Sequence, residues 1–333
     1  MTFETEAVVM RAPGNPDVLQ LRKISLPWPA GGNDVLVALA AAGVNPADTF
    51  FRQLGPYIGD GCDCVLGHDG AGIVQAVGQN VTTVRPGDRV CFCNGGVGGV
   101  AGTYARHTIV PETLLAKVPD TVSLEQAAAF PLVFITGWEA IVERAQISKG
   151  DKVLVHGGAG GTGHVAIQIA KALGAQVATT VSSDKKAAFA RAMGADKVIN
   201  YREQDFVAAV LNWSPDGVEM VLDNAGAAVF QNSLHVLAPY GHMITLMGTP
   251  GDVDDTAYNA NLSIHNVMML TPMWKGLIRH QKRQAAIIRQ GLDWLGDGRL
   301  KVHIGATLPL SETAKAHQML EQGGLMGKVI LVI

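Results

Sequence analysis

Gly158-Ala159-Gly160-Gly161-Thr162-Gly163 fits the pattern G-x-G-x-x-G. It follows Lys152–His156, a short valine-rich run that reads as a strand. It opens a stretch in which Val165, Ala166, Ile169, Ala170 and Leu173 share one helical face. Glycines permit the tight turn, let the backbone approach a pyrophosphate, and let helix and strand pack closely. The helix N-terminus offers unpaired N–H groups and a favourable dipole to the anion. A tight turn without a ligand is the plainer alternative; the strand before the glycines and the helix after them favour a dinucleotide site.

Outward from that loop, the chain keeps alternating. Gln176–Val181, Lys197–Asn200, Glu219–Asp223, His242–Met247 and Ile264–Leu270 read as five further strands separated by helical stretches. Such alternation implies right-handed crossovers and a parallel sheet covered on both faces, a doubly wound Rossmann domain. Before it, Asp34–Ala40, Gly72–Val77 and Arg89–Phe92 are short, rich in Val, and bounded by turn residues, the pattern of a small β-rich domain. Ser123, with Gln126 three residues on, predicts a capped helix start. Gln284–Leu295 predicts a late helix and Lys328–Ile333 a buried terminal strand. The last ~60 residues are too few for a core of their own. The expected class is therefore α/β, with 1–124 and 271–333 forming a β-rich domain around a Rossmann domain at 125–270.

The 333 residues are 48% hydrophobic and 17% charged, which suits a globular chain. A net charge of −3 offers no general pull toward nucleic acid. No apolar run reaches the ~18 residues of a membrane span. Met1–Met10 carries Glu4 and Glu6 and no basic residue, and four cysteines do not make a disulfide scaffold. A small-molecule substrate and a cytoplasmic home are the simplest expectations.

The end of the second Rossmann strand separates the two nicotinamide dinucleotides. NAD sites place a carboxylate there; NADP sites need room and positive charge. Here Thr179-Thr180-Val181-Ser182-Ser183 precedes Asp184, Lys185 and Lys186. Hydroxyls plus lysines suit a 2′-phosphate, hence NADPH. The plainer alternative has Asp184 capping a helix and both lysines on a solvated face.

Further motifs carry a family resemblance. Gly67-His68-Asp69-Gly70-Ala71-Gly72, Val77-Gly78, Pro86-Gly87-Asp88-Arg89-Val90 and Thr136-Gly137-Trp138 resemble the medium-chain dehydrogenase/reductase superfamily. Val44-Asn45-Pro46-Ala47-Asp48 and Val198-Ile199-Asn200-Tyr201 resemble its zeta-crystallin-like quinone oxidoreductases. The resemblance implies a GroES-like catalytic domain built from both chain ends, and a homodimer joined through the sixth Rossmann strands. It also implies that Ser182, Lys186 and Tyr201 hold the 2′-phosphate. Lys186 is favoured over Lys185 because it lies eight residues before Gly194, the family's usual place.

Zinc alcohol dehydrogenases share these motifs but need three protein ligands around an open position. Their first cysteine falls at Asn45, their histidine at His68, and their second cysteine near Leu132. Asn94–His107, where a structural-zinc lobe belongs, has no cysteine. Cys62/Cys64 and Cys91/Cys93 have one intervening residue each, shorter than typical zinc knuckles. No metal is expected.

Hydride transfer without a Lewis acid suits acceptors that are already electron-poor, such as quinones and α,β-unsaturated carbonyls. The product anion needs a donor. Asn45 is the first candidate, since its amide can donate to the substrate oxygen, with Asp48 orienting neighbours; resemblance to enoyl reductases points to Tyr57 as a proton source, one residue further along than their pattern, with a rim aromatic as the plainer alternative. Thr136, Asn224, Met247, Gly248 and Lys328 are expected beside the nicotinamide, with Gly158, Ala159, Gly160, Gly161 and Thr162 on the pyrophosphate. A zinc-type alcohol dehydrogenase and a non-catalytic, crystallin-like NADPH-binding protein are the competing readings.

Overall fold

The computed structural model describes residues 2–28, 32–55, 62–96 and 98–333. In chain order the elements are β1 (Thr2–Met10), β2 (Gln20–Pro27), β3 (Asp34–Val44), α1 (Pro46–Leu54), β4 (Cys64–Val65), β5 (Asp69–Val77), β6 (Arg89–Cys93), β7 (His107–Pro111) and β8 (Ala116–Lys117). Helices α2 (Leu124–Ala129) and α3 (Pro131–Trp138) lead to β9 (Lys152–Val155), α4 (Gly161–Ala172), β10 (Gln176–Val181), α5 (Asp184–Ala192), β11 (Lys197–Asn200) and α6 (Phe206–Trp213). Then come β12 (Val218–Asp223), α7 (Ala227–Leu234), β13 (Leu237–Thr245), α8 (Thr256–Asn259), β14 (Ser263–Asn266) and α9 (Thr271–Trp274). The chain closes with α10 (Ile278–Gly296), β15 (Ile304–Pro309), α11 (Thr313–Gln322) and β16 (Lys328–Val332). None of the described helices is long and apolar enough to cross a membrane.

Two compact units result. The first takes Met1–Leu132, Leu270–Gly298 and Val302–Ile333. Its larger sheet runs β15-β16-β3-β5-β6-β8, with β7 also on β3; a smaller one runs β2-β1-β4. The apolar alternation of β3, β5 and β6 buries Val35, Val37, Val74, Val90 and Phe92 in one cluster. β16 is antiparallel to β3, pairing Val329 with Val44, so the terminal strand returns to the N-terminal domain. That pairing carries Lys328 to the start of α1.

The second unit takes Val133–Met269 and Arg299–Lys301. Its sheet runs β11-β10-β9-β12-β13-β14, every neighbour parallel. This is the doubly wound order, which reverses beside β9 and leaves a ligand crevice at the strand carboxyl ends. Leu154, Ala178, Ile199, Val221, Phe230 and Met243 form part of its core.

Three local expectations differ from the structure. β14 stops at Asn266, although the apolar run to Leu270 is largely buried; a short buried run is not distinguished from a strand by its apolarity. α10 begins at Ile278, earlier than expected, because its first turns are polar and carry no apolar stripe. Thr136 lies inside α3, which starts at Pro131, the residue type favoured in a first turn. α2 packs with the first unit, so the division falls at Leu132/Val133 rather than at 124/125.

Candidate active site

In the second unit the glycine loop joins β9 to α4. Gly157 has φ +65°. A Cβ at Gly158 would lie 2.1 Å from Thr179 Oγ1, and one at Gly163 would lie 2.2 Å from the Gly157 carbonyl oxygen. Any larger residue at either place would push strand and helix apart. Gly160 is the N-cap of α4 and places no side chain over the first turn. The loop is fixed from behind: Gly157 N donates to Thr180 Oγ1 and Gly158 N to the Thr180 carbonyl, each at 3.2 Å. Ala159 is buried within it, and Gly161 and Thr162 are half-buried in the first helical turn.

The neighbouring strand ends carry the other expected residues. Asn224, just past β12, donates from Nδ2 to the His156 carbonyl at 2.8 Å; its buried Oδ1 has no partner among the described residues. A buried amide oxygen left open beside a glycine cradle fits a ligand donor. Asp223 braces this turn, accepting from Ala225 N, Gly226 N and Thr245 Oγ1. Met247 is half-exposed rather than packed in the core, and its Cβ lies 3.0 Å from where a Cβ on Gly226 would stand. Gly248 has φ +84° with open space around its Cα. His156 is fully tied, Nδ1 to Thr180 Oγ1 at 3.1 Å and Nε2 to Ser233 Oγ at 2.9 Å; burial pushes it down to about 4.

At the adenosine end, Ser183, not Asp184, caps α5, and its Oγ accepts from Lys186 N at 3.4 Å. Tyr201 N donates to the Val181 carbonyl at 3.1 Å, which sets an exposed tyrosine beside Ser182 at the end of β10. The loop, the open strand ends and this hydroxyl-and-lysine corner fit a nicotinamide dinucleotide.

In the first unit, the capping residue of α1 is Asn45, which is 1% exposed. Its Nδ2 donates to Asp69 Oδ2 at 2.9 Å, and its Oδ1 accepts from Lys328 Nζ. Lys328 Nζ is also 3.4 Å from Asp69 Oδ2, and Leu132 N donates to Asp69 Oδ1 at 2.8 Å. Burial pushes the Asp69 carboxyl up against the opposing pull of Lys328, Asn45 and the Leu132 N–H. The sequence assigned Lys328 to the cofactor; the structure brings its ammonium to Asn45.

Asp48 is fully buried and accepts from Asn45 N at 2.8 Å, Tyr104 OH at 2.8 Å and His68 Nδ1 at 2.5 Å. Burial alone would raise its carboxyl; His68, His317 and the Asn45 N–H outweigh burial and hold it below the ordinary range. His317 Nε2 reaches Tyr104 OH at 3.2 Å. Sequence reasoning missed Tyr104 and His317: a lone histidine on a helix carries no signal of a partner 213 positions away. Tyr57 lies outside the described residues.

This donor set does not fit zinc. Asn45 offers an amide already shared with an ammonium and Leu132 offers no side-chain donor, so two of the three family ligand positions lack a zinc-binding group. Among the described residues no group of three His, Cys, Asp or Glu side chains is arranged to hold a metal ion.

Known families match both units. The "Alcohol dehydrogenase GroES-like domain" model matches residues 31–120, and "Zinc-binding dehydrogenase" matches 193–331. The quinone oxidoreductase of Pseudomonas aeruginosa is 31% identical over 96% of this chain and 97% of its own length. A highly reducing polyketide synthase from Didymella fabae is 32% identical over 90% of this chain, which spans 15% of that longer protein. The Escherichia coli quinone oxidoreductase complexed with NADPH superposes with a TM-score of 0.87 at 28% identity, covering 98% of this chain and all of that one. An NAD-dependent alcohol dehydrogenase gives a TM-score of 0.87 at 32% identity, over 98% and 99% of the two chains.

A GroES-like unit beside a Rossmann unit defines an oxidoreductase of the medium-chain dehydrogenase/reductase class. The chain belongs to the quinone oxidoreductase family of that superfamily.

Proposed function

We propose that this protein reduces quinones or α,β-unsaturated carbonyls with NADPH and without a metal, as a cytoplasmic homodimer. The observation that carries the metal-free reading is Lys328: a buried ammonium bonds Asn45, the position where a zinc enzyme holds its first thiolate. A fixed positive charge beside the acceptor site does part of what a Lewis acid does elsewhere.

Bound NADPH would supply a hydride to the acceptor's electron-poor carbon. Gly158, Ala159, Gly160, Gly161 and Thr162 would hold its pyrophosphate, and Ser182, Lys186 and Tyr201 its 2′-phosphate. Asn224, with its open Oδ1, would bond the nicotinamide end, beside Thr136, Met247 and Gly248. One of Asn45's two amide hydrogens is committed to Asp69, leaving the other for a substrate oxygen. Asp48 fixes Asn45 through its backbone N–H. Tyr57 keeps its sequence-based role as a proton source. The dimer reading rests on β14, which pairs with β13 on one side only among the described residues.

Cofactor titration tests the reading. Lys186→Ala is expected to weaken NADPH far more than NADH, since a charged hydrogen bond contributes about 1.5–3 kcal/mol. Equal affinity of the parent for both cofactors contradicts it. An NAD-dependent alcohol dehydrogenase is the second reading, favoured by the 32% identity to a solved enzyme of that description; it predicts NADH preference and alcohol oxidation.

A further inference from the structure

After Val153, Leu154 and Val155 of β9 comes His156, and all four are buried between β10 and β12. An apolar residue would continue that core, whereas a buried imidazole is costly unless both nitrogens are bonded. Both are, and the direction of every bond is settled. Ser233 Oγ donates to the Val229 carbonyl at 2.6 Å. Its one hydrogen is thereby spent, so it accepts from His156 Nε2, 2.9 Å away. His156 is pushed down to about 4, burial outweighing Asp223, so the ring is neutral and Nδ1 carries a lone pair. Thr180 Oγ1, 3.1 Å from Nδ1, must then donate to it. The lone pairs of that oxygen are left for Gly157 N, which donates at 3.2 Å.

The line therefore runs one way, from Gly157 N–H to Thr180, from Thr180 O–H to His156, from His156 Nε2–H to Ser233, and from Ser233 O–H to Val229 in α7. Each bond polarises the next. Phe206 packs edge to face with the imidazole, their centroids 5.0 Å apart. Thr180 also accepts Gly158 N at its carbonyl, so one residue of β10 takes the first two N–H groups of the loop. Gly157 in turn sets the rest of the loop. Its carbonyl accepts from Gly160 N at 2.9 Å and limits how closely Gly163 of α4 can approach. The N–H groups of Gly161 and Thr162, in the first turn of α4, have no partner within the helix and are the groups an anion would take. The main chain of His156 serves the other side of the site, because its carbonyl accepts from Asn224 Nδ2.

We infer that His156 is a positioning residue for the dinucleotide: its ring turns the Thr180 hydroxyl so that the oxygen takes Gly157 N–H, which holds the glycine loop in its anion-binding shape. The inference rests on the dinucleotide reading of that loop and is independent of the acceptor. A threonine alone could send its hydrogen elsewhere and swing its lone pairs off Gly157. A histidine whose Nε2–H is pinned by Ser233 leaves that hydroxyl a single direction. His156 acts through Thr180 and Gly157 and exchanges no proton.

The test pairs two substitutions. His156→Gln keeps a donor near Nε2 for Ser233 and loses the acceptor at Nδ1. His156→Asn places an amide oxygen near Nδ1 and loses the donor to Ser233. Affinity is measured by calorimetry with NADPH or NADH, whichever the parent binds more tightly. It should fall roughly tenfold in His156→Gln, the scale of one neutral hydrogen bond, and less than about threefold in His156→Asn. Urea midpoints measured beside them should fall alike, since each variant breaks one buried bond. Thr180→Val should match the loss in His156→Gln. The double variant should lose no more than Thr180→Val alone, because both changes act on one bond. Equal affinity losses in the Gln and Asn variants, or additive losses in the double variant, overturn the role. Nitrogen-15 spectra of the parent's histidines need no variant. At neutral pH His156 should carry its hydrogen on Nε2 with a bare Nδ1; a hydrogen on Nδ1 contradicts the proposal even if the variants do not fold. If the parent binds neither dinucleotide, the cofactor reading falls and this role with it; if it binds one and the variants show the wrong order, only the role falls.

Discussion

The two units handle buried polarity differently. Around the glycine loop, His156 satisfies both ring nitrogens with neutral hydroxyls, and Asp223 takes three neutral donors. Around Asn45 two buried carboxylates meet ionisable partners: Asp48 meets His68, and Asp69 meets Lys328. A neutral, fully bonded cluster keeps a loop rigid for a ligand that brings its own charge. A charged cluster keeps a field in place, which is useful where charge develops during a reaction. The first unit stakes more on each partner, because a buried ion left alone is more costly than a lost neutral bond.

The largest effect should therefore come from Lys328. Lys328→Met leaves Asp69 buried beside no cation, and is expected to cost about 3–5 kcal/mol of stability, read from urea unfolding. A loss under ~1 kcal/mol would mean that Asp69 takes up a proton readily, as its raised carboxyl allows.

Acid should act on both units alike. His156 in one and His317 in the other are each pushed down to about 4 from 6.5. Between these values the unfolded chain binds more protons than the folded one, so stability rises with pH across that window and falls on acidification. From pH 7 to pH 5 the two together should remove roughly 2–4 kcal/mol. Urea midpoints that stay flat over this range contradict the burial of both rings.

The smallest effect is steric. Gly163→Ala drives a methyl toward the Gly157 carbonyl oxygen and should cost about 1–3 kcal/mol while sharply weakening cofactor binding. Calorimetry on the variant separates the two. Unchanged cofactor affinity would show that the loop tolerates a wider strand–helix spacing than its geometry indicates.

The same contrast explains what could be read from sequence. The glycine loop and the six-strand alternation are local, and spacing alone exposes them; the choice of Ser182 and Lys186 rests on the family resemblance. The pairing of Asp69 with Lys328 joins positions 259 apart, and that of Arg52 with Glu321 joins positions 269 apart. Each depends on the terminal segment returning to the first unit, and no periodicity encodes it. His68 illustrates the limit: its neighbour Asp69 is visible in sequence, but its actual partner is Asp48, brought in by α1. The apolar run after β14 misleads for the opposite reason, because burial without pairing resembles a strand.

The central claim is NADPH-driven reduction with Lys328 and Asn45 in place of a metal. Enone turnover with NADPH before and after exhaustive chelation, beside elemental analysis of the same sample, tests it most directly. The account predicts far less than one zinc per chain and an unchanged rate. Stoichiometric zinc, lost together with activity, would contradict it.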